Sequence, residues 1–91
     1  MRHVLLYDSA DDVRSKAPAW LPGHRAHSER FRSDGSLLLI GPFGDPQNQG
    51  SMGVFATRQA AEEFARTDPF VLNGVIRRWR VRDWNEATGG I

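Results

Sequence analysis

With 91 residues, 12 Lys and Arg against 11 Asp and Glu, and no cysteine, the chain has room for one small domain and no disulfide to brace it. A net charge of +1 lacks the cation surplus on which general nucleic-acid binding rests. The apolar run after Met1 is too short for a signal peptide or a membrane span, so a single cytoplasmic domain over 1–91, without nucleic-acid or membrane partners, is expected.

Residues 3–8 read as a strand in which Val4 and Leu6 face one side and Leu5 and Tyr7 the other. A strand apolar on both sides belongs at the centre of a sheet. A helix follows over Pro18 to Ser33, its regular part starting near Pro22 because proline suits only a first turn. Trp20, His24, His27 and Phe31 form one stripe on it, and Asp34-Gly35 ends it.

Ser36 to Ile40 is a second strand and Ser51 to Ala56 a third, joined as a hairpin by the Gly- and Pro-rich loop Gly41–Gly50. Thr57 caps a second helix with Ala61, Phe64 and Ala65 on its inner stripe. That helix stops near Thr67, since Pro69 disfavours helical geometry at Asp68. Asp68-Pro69 opens a short extra turn closed by Asn73-Gly74. The last strand, Val75 to Trp84, sets Trp79 and Val81 on one side and Arg78, Arg80 and Arg82 on the other.

The order βαββαβ predicts a ferredoxin-like α+β domain: a four-stranded antiparallel sheet with both helices on one face. The other face is left uncovered, and an apolar patch of that kind calls for a homodimer.

Several residues have two readings. His24, on an apolar stripe, is a hydrogen-bonded structural residue or an acid/base catalyst. Asp68 is an N-cap or a site carboxylate. The Gly41–Gly50 loop is a surface loop or a lid over a pocket, but with no lysine and no GxGxxG spacing it is not a phosphate cradle. The arginines of the last strand are a solvated face or an anion site. A metal site on His24 and His27 would have to draw its third ligand from His3 or a distant carboxylate, and no cysteine supports it, so no metal and no cofactor are expected. Serine chemistry has no elbow motif to rest on.

Taken together, the opening strand, the helical His24, the segment Gly35–Phe43, Gly50-Ser51-Met52, the Ala-Ala-Glu-Glu-Phe-Ala helix, Asp68-Pro69-Phe70 and the closing Trp79–Trp84 resemble the YCII-related (YciI-like) domain family of the dimeric α+β barrel group. The resemblance covers nearly the whole chain. It departs from the common pattern at Leu21 and Arg25, where Arg and Leu are frequent.

The resemblance implies a homodimer and a cleft with a His–Asp acid/base pair. Its histidine stands seventeen residues before Gly41, which selects His24 over His27, and its Asp-Pro-aromatic carries over to Asp68. Gly41, Pro42, Phe43, Ser51 and Phe70, from the same motifs, are expected to bind substrate. Enzymes among such proteins point to lyase or dehalogenating chemistry on small ring compounds. A carboxylate on one imidazole nitrogen fixes the tautomer and makes the other nitrogen the better base. With no nucleophile in view, proton abstraction with elimination or isomerisation is the expected chemistry. The alternative is a non-catalytic ligand-binding or regulatory module using the same cleft.

Overall fold

The computed structural model describes residues 1–87; residues 88–91, the end of the domain expected over 1–91, lie outside the described residues. Along the chain run β1 (Arg2–Ser9), α1 (Val13–Ser33), β2 (Leu37–Pro42), α2 (Pro46–Gln49), β3 (Ser51–Phe55), α3 (Arg58–Thr67), α4 (Pro69–Leu72) and β4 (Ile76–Trp84). The strands make one antiparallel sheet in the order β2-β3-β1-β4, the ferredoxin-like arrangement. Among the described residues no helix is long and apolar enough to cross a membrane.

β1 is internal, as its two apolar sides require. Leu5 and Tyr7 enter the core beneath the helices with Leu37, Phe55, Phe64 and Ile76. Register carries this alternation across to β4, where Val81 lies opposite Leu5 and Trp79 opposite Tyr7. Trp79 and Val81 therefore pack on the core, while Arg78, Arg80 and Arg82 share the open face with Val4 and Leu6. Asp8, on that face, pairs with Arg78 at 2.7 Å and Arg80 at 3.4 Å. These partners, the Arg78 hydrogen bond foremost, hold its carboxyl below the usual range.

Three expectations change. α1 begins at Val13 and carries both prolines inside it. Each ring leaves the carbonyl four residues back, Arg14 or Pro18, without its helical donor. Arg14, Pro18 and Pro22 are each exposed, which leaves those carbonyls open to water, and the helix continues. Trp20 is 41% exposed, because the inward row on this half of α1 passes through Ala17 and Leu21 instead.

The Gly41–Gly50 loop, in turn, holds the helical turn α2. Asp45 caps it by accepting from the Asn48 amide, with Pro46 next in the chain. Gly50 then turns back against β1 at φ 76°, where a Cβ would lie 1.8 Å from the Tyr7 carbonyl oxygen. Only glycine fits there.

Candidate active site

Asp68 is where α3, α4, β1 and α1 meet. It follows α3 with an extended backbone and caps α4, its Oδ1 accepting from the Phe70 amide at 3.0 Å. The same carboxylate accepts from the Tyr7 hydroxyl at 2.7 Å and lies 2.9 and 3.0 Å from His24 Nδ1. Asp68 is completely buried, and its carboxylate, which can only accept, faces the Phe70 amide, the Tyr7 hydroxyl and the His24 imidazole. His24 therefore carries its proton on Nδ1. One side chain thus both caps α4 and bonds the His24 imidazole.

Two further features fix the imidazole. Its ring stacks on Phe70 with centroids 4.0 Å apart and planes 4° from parallel, while Phe64 meets it edge-on. At Gly23 an added Cβ would lie 3.3 Å from Pro69 Cγ, so the glycine lets α1 approach α4 closely enough for His24 to reach Asp68. Burial, then the neighbouring Asp68 charge and hydrogen bond, hold the Tyr7 hydroxyl far above its ordinary pKa, so it acts as a fixed donor.

His24 lines a cleft of about 580 Å³ between α1, the sheet and α2. With Nδ1 occupied, Nε2 is the nitrogen free to serve this space, and no described residue bonds to it. Gly41, Pro42, Ser51 and Phe70 also line the cleft, but Phe43 does not. Pro42 pairs with Ser51 on the helix side of the sheet, so the next side chain turns away. The Phe43 amide instead donates to the Gly50 carbonyl.

His27, the other helical histidine, is core. Its Nδ1 accepts from Arg30 at 2.9 Å, and its Nε2 donates to the Phe64 carbonyl at 3.0 Å. Among the described residues no group of three or more His, Cys, Asp or Glu side chains is placed to hold a metal ion. Tyr7 is the site residue that sequence reasoning passed over. Its signal was a tyrosine on the inner side of a central strand, where the hydroxyl needs a buried partner.

The YCII-related domain family model matches residues 1–85. The 5-chloro-2-hydroxyhydroquinone dehydrochlorinase (TftG) of Burkholderia phenoliruptrix AC1100, solved in complex with 2,5-dihydroxybenzoquinone, is similar in structure. The TM-score is 0.76 and the identity 17%, covering 96% of each chain. An antibiotic biosynthesis monooxygenase is similar with a TM-score of 0.57 and 20% identity, over 96% of this chain and 99% of that one. No curated protein matches. At these identities the structural likeness concerns the fold alone, a four-stranded antiparallel sheet with helices in the ferredoxin-like α+β arrangement.

Proposed function

The chain belongs to the YCII-related domain family, and we propose that it is a small-molecule enzyme in which His24 moves a proton and Asp68 orients it. The observation that carries this reading is the imidazole held by a wholly buried carboxylate on Nδ1 while Nε2 is left to a roomy cleft. Nε2 takes a proton from an acidified carbon or hydroxyl of the bound ring compound. The hydrogen bond to Asp68 stabilises the imidazolium so formed. The substrate's electron pair then expels a leaving group, or the proton returns at another position. Elimination or isomerisation results, and neither needs a nucleophile from the protein. The dehydrochlorinase likeness supports a lyase reaction on a ring compound as the first to try. The unit proposed is a homodimer with one such cleft in each protomer.

The test is turnover. 5-Chloro-2-hydroxyhydroquinone and a panel of related quinols are followed by chloride release and, in D₂O, by NMR loss of ring protons. Turnover or exchange is expected in the native protein, falling by roughly 10²–10⁴-fold in His24→Gln. Binding with neither elimination nor exchange would instead assign the cleft to a regulatory module.

A further inference from the structure

The cleft is larger than a single ring requires. A cavity of roughly 150 Å³ holds a benzene molecule, whereas this one is about 580 Å³, the size of a drug-like ligand site. Its long wall is α1, on which Arg14, Ala17, Leu21 and His24 line the space at spacings of three, four and three, one helical stripe. From Arg14 to His24 is ten residues, about 15 Å along the axis. Between these ends α1 offers Ala17 and Leu21 to a mainly apolar lining that includes Leu5, Ile40 and Ile76, with Tyr7 and Ser51 among its polar members.

Among the described residues Arg14 is the sole arginine or lysine lining the cleft. The ion pairs among the described residues engage Arg2, Arg32, Arg58, Arg78 and Arg80, and none engages Arg14. Among the described residues the one carboxylate lining the cleft, Asp45, is turned into its own turn, where it caps α2 and accepts from the Asn48 side chain at 2.8 Å. The cleft thus has the His24 imidazole at one end, a mainly apolar middle and, at the other end, a guanidinium that no described carboxylate pairs with.

We propose that Arg14 is a specificity residue, and that the substrate is an elongated apolar anion: a ring at His24, an apolar body along Ala17 and Leu21, and a carboxylate or similar group paired with Arg14. This deepens the enzymatic reading by naming its substrate class. It rests on that cleft being the ligand site but not on catalysis.

The probes are biphenyl-4-carboxylate, its neutral isostere biphenyl-4-carboxamide, and benzoate, which is too short to span the cleft. Each is titrated by ¹H–¹⁵N NMR into the native protein, Arg14→Gln and Arg14→Lys. The biphenyl carboxylate is expected to bind about tenfold or more tighter than the amide, as befits a hydrogen-bonded ion pair. Amides from Arg14 to His24 should shift, and benzoate should bind at least tenfold more weakly than the biphenyl acid. Arg14→Gln should erase the preference for the acid while the amide still binds, and Arg14→Lys should keep part of it. Equal binding of acid and amide, or loss of both in Arg14→Gln, overturns the anion subsite and leaves the acid/base reading standing. Failure of both biphenyls to bind at millimolar concentration overturns the subsite and the cleft reading together.

Discussion

Tyr7 donates to a carboxylate that no water reaches, so its hydroxyl cannot be removed or ionised cheaply. Tyr7→Phe should cost about 1.5–3 kcal/mol at neutral pH, the range for a hydrogen bond to a charged group. The pKa of Tyr7 is raised in the folded state by burial and then by Asp68, above the ordinary value near 10. The folded protein therefore holds the phenolic proton more tightly than the unfolded chain does. That stabilisation is complete below pH about 10 and is lost as pH climbs toward the folded value. Urea melts of the native protein should weaken across that range, and those of Tyr7→Phe should weaken less. Tyr7 is the chain's one tyrosine, so tyrosinate absorbance should appear only with unfolding; a phenol that ionises near 10 in the folded protein would contradict the buried contact. Asp68→Asn separates the two duties of that residue. Asparagine caps a helix as well as aspartate, so the Phe70 amide stays satisfied, but one carbonyl oxygen cannot also serve Tyr7 and His24. The ¹⁵N shifts of His24 should move away from a single Nδ1–H form; an unchanged tautomer would show that Asp68 does not set it.

The elements show where local signals suffice. Thr57 accepts from the Ala60 amide and starts α3 where its sequence places it, and Asp68-Pro69 starts α4 the same way. Asp45-Pro46 carries the identical cap-and-proline signature for α2, yet among glycines and prolines it reads as plain loop. The start of α1 was hidden for another reason: whether proline ends a helix depends on which carbonyls face water, a property of the packed molecule. Likewise the position of His24 on a stripe was legible, but its reach to Asp68 depends on Gly23 and Pro69 touching across two elements. The turn α2 beside the cleft is held by contacts with no sequence signature. Gln47 accepts from the Val13 amide and donates to the Ala10 carbonyl, both at 2.8 Å, and Ser9 donates to the Pro46 carbonyl. Asp12 offers α1 no side-chain cap, so Gln47 supplies it from outside the helix. Gln47→Ala should cost about 1 kcal/mol and speed hydrogen exchange at Val13 and across α2, with the core strands unchanged. Protection of Val13 equal to the native level would mean that Gln47 is no latch.

At the scale of the molecule, the arrangement has one covered sheet face and one bare one. On the bare face Val4 pairs with Val54, Leu6 with Met52, and Leu39 with Val54, giving an apolar centre edged by the arginines of β4 and by Trp84. Leu39 is 66% exposed and Trp84 45% exposed in the lone protomer. A chain of 91 residues buries a modest share of its surface by itself, and burying this face against a second copy would add to it. A two-fold pairing also sets like patches together, so the apolar centres meet while Asp8 keeps Arg78 and Arg80 neutralised at the edge. The expected species at tens of micromolar is therefore twice the protomer mass of 10.2 kDa by sedimentation equilibrium. Leu39→Glu is the informative variant. Because Leu39 is already mostly in water within the protomer, a charge there should cost the isolated fold less than about 0.5 kcal/mol, whereas a glutamate facing its own copy would be buried unpaired. The variant should keep its fold by circular dichroism and sediment at 10.2 kDa. A native protein already at that mass, or a Leu39→Glu variant still at twice it, would mean that this face does not join the copies.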